Sequence, residues 1–255
     1  MNIEFLSFKL FSGSVCKCAD EIVAVATRTE RNCFIMACLN PHSFIIARDD
    51  KLFRNALKRS HWLIADGIGI VWGGRLLGKP IKDRVTGPDV FLAVMKRLNK
   101  KGGSVFFLGS TDTTLKKIQT RMKETFPNIT PVGFLSPPYK QFFSDEENVV
   151  IIEKINKAKP DLLWVGMTAP KQERWLDDHR FKLDVKAAGA IGAAFDFFAE
   201  TVKRSPVVMQ KLGLEWLHRS LASPTRLGKR NATSNPKFVF EVLRAKFQKF
   251  VWTSK

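Results

Sequence analysis

Short apolar runs alternate with amphipathic segments along the middle of the chain, and this alternation constrains the fold more than any other feature. Helical patterns separate the runs, and Gly102 and Pro127 begin good helix-stopping pairs. Repeated strand–helix units of this kind form a parallel sheet with helices on both faces, so we predict an α/β fold. The predicted strands are residues 33–39, 61–65, 104–108, 161–165 and 185–191, and the predicted helices are 88–99, 111–126 and 145–157.

The composition changes near residue 201. The 255 residues carry a formal net charge of +18, and residues 201–255 hold twelve Lys/Arg against two Asp/Glu, which is +10 of that total (12 − 2 = 10). We predict a catalytic domain at 1–200 and a basic, amphipathic, helical C-terminal appendage at 201–255. Such an excess indicates an anionic partner: nucleic acid, an acidic membrane or a phosphorylated substrate. Apolar residues recur in the appendage at roughly helical spacing: Val239, Leu243, Phe247, Phe250 and Val251.

The sequence offers no membrane span and no leader. No apolar stretch reaches the roughly 18 to 20 residues that cross a bilayer, and the best candidate, residues 187–199, is interrupted by Asp196. The N-terminus lacks a basic start followed by an apolar run, and the four cysteines lack zinc-site spacing. We therefore expect a reduced, cytoplasmic protein whose membrane contact is peripheral.

Polar residues and glycines follow the predicted strands where each one ends. In an open parallel sheet, ligands bind beyond the carboxyl ends of the strands. Lys171 and Gln172 begin a helix after Pro170, on a first turn that faces this edge or is merely exposed. Candidate ligand contacts directly after the other strands are Asn40, Asp66, Gly109 and Gly192, with Asp196 one turn further on.

Asp66 is the leading catalytic candidate, because a carboxylate at a strand end between small residues can reach a substrate hydroxyl as a general base. The alternative is that it caps the helix from Ile68 onward. Gly67 and Gly69 can let a helix N-terminus approach a phosphate, or serve turn geometry alone. Arg84 can grip a diphosphate with a forked contact, or remain a solvated charge. No His/Asp/Glu set has metal-ligand spacing, so we predict neither metal nor cofactor.

Taken together, these segments resemble the WecG/TagA/CpsF family, glycosyltransferase family 26. The matching segments run in the family's order from about residue 30 to residue 250. They are Asn40-Pro41, Ala65-Asp66-Gly67-Ile68-Gly69, Arg84-Val85-Thr86-Gly87, Phe107-Leu108-Gly109, Ala169-Pro170-Lys171-Gln172-Glu173, Gly192-Ala193-Ala194-Phe195-Asp196-Phe197, Val202-Lys203-Arg204-Ser205-Pro206 and Gly213-Leu214-Glu215-Trp216-Leu217.

The resemblance implies a Rossmann-like, GT-E-type fold and an inverting transferase that needs no essential metal. The donor would be a UDP-sugar carrying N-acetylmannosamine, its uronic acid or glucose. The acceptor would be an undecaprenyl-diphosphate-linked sugar, in the synthesis of teichoic acid or another cell-surface polysaccharide at the inner face of the cell membrane. Asp66 falls on the family's proposed catalytic base. Appendage arginines would complete the site, with Arg226 and Arg230 as catalytic candidates four residues apart and Arg219 binding substrate. Further substrate contacts would come from Asn40, Gly67, Gly69, Arg84, Thr86, Gly109, Lys171, Gln172, Gly192 and Asp196.

The sequence departs from the family pattern at three positions where sugar choice can differ. Cys38 stands where the family often has Thr, and Thr168 and Glu200 stand where glycine is common. Residues 1–30 match poorly, and their role stays open. The donor, the acceptor, the pathway and a homo-oligomeric state are not specified by the sequence.

Two other functions fit parts of the sequence. A basic nucleic-acid-binding protein would explain the sequence pI near 10, but the charge gathers in an amphipathic tail, as membrane-surface helices require. We therefore expect an anionic membrane surface as partner and no nucleic acid. A nicotinamide dehydrogenase is disfavoured because Gly73 and Gly74 come too late for the dinucleotide glycine spacing.

Overall fold

A six-stranded parallel sheet forms the centre of the protein, in a computed structural model that describes residues 2–82 and 84–253. An antiparallel hairpin, β1 (Asn2–Phe5) and β2 (Phe8–Phe11), precedes it. The order in the large sheet is β4-β3-β8-β7-β5-β6, and all its described pairings are parallel, which confirms the predicted fold class. Its strands are β3 (Phe34–Leu39), β4 (Trp62–Ala65), β5 (Gly103–Gly109), β6 (Ile129–Leu135), β7 (Leu162–Gly166) and β8 (Ala187–Ala190).

Helices cover both faces of this sheet. Strand residues alternate between the faces: Met36 and Ile64 lie in one core cluster, and Ile35 and Leu63 lie in the clusters of the opposite face. The first face is covered by α1 (Val15–Ala26), α5 (Gly87–Lys101), α6 (Asp112–Thr125) and α9 (Ala194–Phe198). The second is covered by α2 (Pro41–Asp49), α3 (Lys51–Arg59), α4 (Ile68–Leu76), α7 (Asp145–Ala158) and α8 (Lys171–His179).

The five predicted strands agree with the observed ones within two residues at each end. The sequence analysis missed the hairpin and β6, which contains Pro131 and Gly133. β6 tolerates a proline because it is an edge strand, where a missing backbone N–H need not break a ladder on its open side. Its register with β5 also shifts between Val105 and Phe106, which hides the regular strand pattern.

The C-terminal segment consists of α10 (Val207–Lys211), α11 (Glu215–Ala222), a π-helical turn (Pro224–Gly228) and α12 (Lys229–Thr253). α12 packs against the body: the Phe238 ring lies 5.4 Å from that of Phe44 and 6.3 Å from that of Phe5. The composition boundary at residue 200 is therefore not a packing boundary, because Phe238 and Val242 belong to a core cluster with the hairpin, α2 and α4.

The apolar stripe predicted on α12 is its exposed side. Val239, Leu243 and Phe247 are exposed, as is Phe240 beside them. The side chains of Phe250 and Val251 lie outside the described residues. Within the described chain, no helix combines the length and the apolar character needed to cross a bilayer.

Candidate active site

The turn after β4 presents Asp66. Its backbone N–H donates to the Leu39 carbonyl oxygen at 2.8 Å, which fixes the turn to the end of β3. Gly67, at φ +95°, is the N-cap of α4, and no side chain caps that helix. The alternative that Asp66 is a helix cap is therefore wrong. As a whole residue, Asp66 is half-buried at the carboxyl edge of the sheet.

Asn40 holds the Asp66 carboxyl group in place. Asn40 caps α2, and its Oδ1 accepts the Ser43 N–H at 2.9 Å, while its own N–H donates to Ser43 Oγ at 2.7 Å. This reciprocal cap fixes the amide and leaves its NH₂ group for the hydrogen bond to the side chain of Asp66. Asn40 therefore acts as the orienting partner of Asp66.

The surroundings raise the pKa of Asp66 from 3.8 to about 6. Burial is the largest cause, and the nearby carboxylate of Glu215 adds to it; Arg219 and Arg84 act in the opposite direction. A carboxylate with this pKa is ionised at neutral pH, yet it is a stronger base than an ordinary aspartate. That combination suits proton removal from a hydroxyl group.

An ion-pair network ties the C-terminal segment to the body beside Asp66. Glu215, the buried first residue of α11, lies 3.3 Å from Arg84 and 3.4 Å from Arg204. Arg204 also pairs with Asp89 of α5 at 2.7 Å. The predicted diphosphate ligand Arg84 is thus held by a carboxylate, but a guanidinium carries five N–H groups, so one ion pair leaves donors for an anion.

Thr86 occupies the N-cap of α5. Its hydroxyl accepts the Asp89 N–H at 3.4 Å and donates to the Asp89 carboxylate at 2.6 Å. Thr86 is buried, and its observed role is to cap α5. A contact between Thr86 and substrate stays a prediction.

Gln172 and Glu173 form a buried polar pair on the first turn of α8. Gln172 Nε2 donates to Glu173 Oε1 at 2.9 Å, and burial raises the pKa of Glu173 to about 7. The Gln172 amide lies beside Gly192, where an added Cβ would come within 3.7 Å of it. After burial itself, the charges of Asp66 and Glu173 both raise the pKa of the Cys38 thiol.

At two of the predicted ligand-binding glycines, close packing leaves no room for a larger residue. A Cβ at Gly69 would come within 2.7 Å of the Pro41 ring. Gly109, at φ +107°, would place a Cβ 2.7 Å from the carbonyl oxygen of Gly166 on the neighbouring strand. Close packing alone therefore explains both glycines, and their contact with a phosphate stays a prediction.

Lys171 and Asp196 both contact segments that neighbour their own helices, and their binding of substrate stays a prediction. Lys171 Nζ donates to the Lys140 carbonyl oxygen at 2.6 Å and lies 3.6 Å from the centre of the Phe143 ring. It thus turns toward the loop after β6. Asp196, on α9, accepts hydrogen bonds from Thr201 through its backbone oxygen and its carboxylate.

The three appendage arginines lie in different elements. Arg219 of α11 lies 5.3 Å above the Phe197 ring and is near enough to Asp66 to lower its pKa. Arg230 of α12 lies near His42, whose pKa falls to about 4, mainly through burial and then through this charge. Arg226 belongs to the π-helical turn, and its side chain lies outside the described residues. Arg226 and Arg230 are therefore not on one regular helix, contrary to the simple four-residue spacing.

Comparison with known proteins shows the family of this chain. The family model described as "Glycosyl transferase WecG/TagA/CpsF family" matches residues 3–251. The chain belongs to the WecG/TagA/CpsF family. It is therefore a glycosyltransferase, which confirms the predicted family and enzyme class and gives no support to the nucleic-acid-binding alternative.

Individual relatives agree with the family assignment. Proteins of Staphylococcus aureus strains MRSA252 and NCTC 8325 / PS 47 are named N-acetylglucosaminyldiphosphoundecaprenol N-acetyl-beta-D-mannosaminyltransferase. Each is 28% identical to this chain over 221 residues, which cover 87% of this chain and 84% of the relative.

Sequence reasoning missed three charged residues of the candidate site. Glu173, Arg204 and Glu215 all lie in segments that carry the resemblance, yet each was treated as background to its neighbours. The signal was a Glu or an Arg inside a motif otherwise rich in apolar and small residues. Charged residues are rarely buried unless they are paired; Glu173 and Glu215 are buried, Arg204 is half-buried, and each has a polar or charged partner.

Proposed function

We propose that this glycosyltransferase moves a hexose from a UDP-sugar to an undecaprenyl-diphosphate-linked sugar for a cell-surface polymer. The hexose is N-acetylmannosamine, its uronic acid or glucose. The names of the Staphylococcus aureus relatives support a mannosaminyl group and an undecaprenyl-diphosphate acceptor. The family assignment supports the reaction class.

The observation that carries the proposal is the placement of Asp66. Asp66 is half-buried at the carboxyl edge of the sheet, it caps no helix, Asn40 orients it, and its pKa is raised to about 6. A carboxylate held in this way is suited to catalysis rather than to structure.

In this mechanism the Asp66 carboxylate takes the proton of the acceptor hydroxyl as its oxygen bonds to the anomeric carbon of the donor. The bond from that carbon to the diphosphate oxygen breaks, and its electron pair leaves with UDP. Attack from the face opposite UDP inverts the anomeric configuration. A base in this role contributes about 10²–10⁴-fold in rate.

Positive charge next to Asp66 serves the departing diphosphate. Arg84 and Arg219 are both near enough to lower the Asp66 pKa, and Arg230 lies by the start of α2 at the same edge. Preorganised cations stabilise charge that develops in a transition state. We assign Arg226 to the same task, following the family resemblance.

The exposed apolar side chains of the C-terminal segment form a surface for the membrane that holds the acceptor. Trp216 and Leu221 of α11 and Phe240 and Phe247 of α12 are exposed, and the surrounding segment carries +10 net charge. Apolar insertion together with cationic attraction holds amphipathic helices at anionic membrane surfaces. The enzyme thus works at the inner, cytoplasmic face of the cell membrane.

The reaction is tested with the purified full chain, a short-chain lipid-diphosphate N-acetylglucosamine acceptor, and a panel of UDP-sugars. The proposal predicts acceptor-dependent UDP release with UDP-N-acetylmannosamine, its uronic acid or UDP-glucose. Transfer only from donors built on other nucleotides would overturn the UDP assignment, and the lack of any transfer would overturn the acceptor assignment.

An assay with a water-soluble acceptor distinguishes the two roles proposed for the C-terminal segment, which are catalysis and membrane binding. Arg226→Ala should cut turnover on a water-soluble acceptor and leave vesicle binding intact, whereas Phe240→Ser should do the reverse. Point variants are preferable to truncation, because α12 contributes Phe238 and Val242 to the core. Full soluble activity in Arg226→Ala would remove this arginine from the catalytic mechanism.

A further inference from the structure

Two buried oxygen atoms on the first turn of α8 lack a hydrogen-bond partner. They are Oε1 of Gln172 and Oε2 of Glu173; within the described chain, neither makes a hydrogen bond to another residue. The two residues are only 5% and 3% exposed. Leaving a buried polar atom unpaired is costly, and native proteins rarely do so without a reason.

These atoms lie on the same edge of the sheet as Asp66. The Gln172 amide is beside Gly192, which follows β8. β8 pairs with β3, and β3 pairs with β4, the strand that ends just before Asp66, so Gln172 and Asp66 lie at the ends of strands two positions apart. The reacting sugar must sit within reach of Asp66, which places this pair among its candidate neighbours.

We infer that Glu173, together with Gln172, binds a hydroxyl group of the donor hexose and so helps to decide which sugar is transferred. This inference rests on the proposed function. Oε1 of a glutamine can only accept a hydrogen bond, and a protonated carboxyl oxygen can donate one. One sugar hydroxyl satisfies both atoms at once, because it donates to Gln172 and accepts from Glu173.

The environment supports a neutral polar ligand here. Burial raises the pKa of Glu173 to about 7, so a large fraction of this carboxyl group keeps its proton near neutral pH. An acceptor oxygen next to a carboxyl group would repel a diphosphate. A hydroxyl-rich hexose is thus the better occupant than the anionic part of the donor.

The experiment combines a variant with donors that lack single hydroxyl groups. Glu173→Met, which removes both donor and acceptor, and the exposed control Glu153→Met are compared with the unmodified full chain. Binding is measured for UDP, UDP-N-acetylmannosamine and UDP-glucose, and kcat/KM for the two sugars and their monodeoxy derivatives. Hydrogen bonds from a buried polar site to a substrate hydroxyl are worth roughly tenfold or more in discrimination.

We expect Glu173→Met to keep the affinity for UDP and to lose roughly tenfold or more in kcat/KM for the preferred UDP-hexose. One deoxy donor should cost the unmodified enzyme a similar factor and cost Glu173→Met much less. The control should behave as the unmodified enzyme does. If Glu173→Met does not fold, Gln172→Met removes the neighbouring acceptor and should reduce the same deoxy penalty.

Three results would overturn the inference. Equal deoxy penalties in the variant and the unmodified enzyme would mean that Glu173 does not contact the sugar. An equal loss of affinity for UDP and for UDP-hexose would assign Glu173 to the nucleotide. Unmodified protein that binds UDP but gains nothing from the hexose would refute this inference alone, whereas protein that binds neither ligand would refute the proposed function as well.

Discussion

Arg84 Nη1 lies 3.3 Å from Glu215 Oε2, and this ion pair joins the loop before α5 to the first turn of α11. The same glutamate raises the pKa of Asp66, whereas Arg84 lowers it. The position of the C-terminal segment is therefore coupled to the basicity of the proposed catalytic group. The two charges that pair where α11 meets the body, Arg84 and Glu215, thus also influence the basicity of Asp66.

Two substitutions near Asp66, Glu215→Gln and Arg219→Met, should shift the pH dependence of kcat/KM in opposite directions. Asp66 must be deprotonated to act, so activity should fall as the pH drops through about 6. Glu215→Gln removes a negative neighbour, which lowers the Asp66 pKa and moves the acidic limb to lower pH. Arg219→Met removes a positive neighbour, which raises that pKa and moves the limb to higher pH.

Complete pH–rate profiles of the two variants and of the unmodified enzyme measure these shifts. Thermal melts run alongside show whether each variant stays folded. Limbs that shift in the same direction, or not at all, would mean that a group other than Asp66 controls the profile.

Two phenylalanines on α12 should separate stability from membrane binding. Phe238 is 3% exposed in the core, so Phe238→Ala should destabilise the protein by about 3–5 kcal/mol. Phe240 is 63% exposed, so Phe240→Ala should change stability by less than about 0.5 kcal/mol and weaken binding to anionic vesicles. Denaturant unfolding and vesicle sedimentation measure the two effects. Matching losses of stability in both variants would contradict this packing of α12.

Substitution of Gly67 should impair the enzyme because of the backbone conformation at this position. At φ +95° and ψ 150° it occupies a region that side-chain-bearing residues avoid, at a cost of about 1–3 kcal/mol. Gly67→Ala should displace the neighbouring Asp66 and lower kcat. Gly78, at φ +70° with open space where a Cβ would lie, is the matched control. Gly78→Ala should cost some stability and leave kcat unchanged; equal kcat in both variants would contradict the constraint on Gly67.

Much of the fold follows from local sequence pattern. Buried parallel strands such as β7 and β8 are continuous apolar or small-residue runs. Helix α5 begins at a capping residue, Thr86, and ends at a glycine, Gly102. β6 escaped notice because Pro131 and Gly133 are unfavourable to strands, and its edge position tolerates them only in the tertiary context.

The site could be predicted in outline but not in its connections. The rule that ligands bind beyond strand ends located Asn40 and Asp66, which proved to be hydrogen-bonded partners. The contact between Arg84 and Glu215 spans 131 residues, and no local pattern encodes such a pairing. In the same way, the exposed stripe of α12 was visible in the sequence, but the packing of Phe238 on Phe44 depends on where the helix docks.

The central claim, that Asp66 is the catalytic base, is tested most directly by the turnover of Asp66→Asn. This substitution keeps the shape of the side chain and removes its basicity. With Asp49→Asn as an exposed control, the account predicts that kcat falls by about 10²-fold or more while UDP affinity stays close to that of the unmodified enzyme. Near-normal turnover in Asp66→Asn would contradict it.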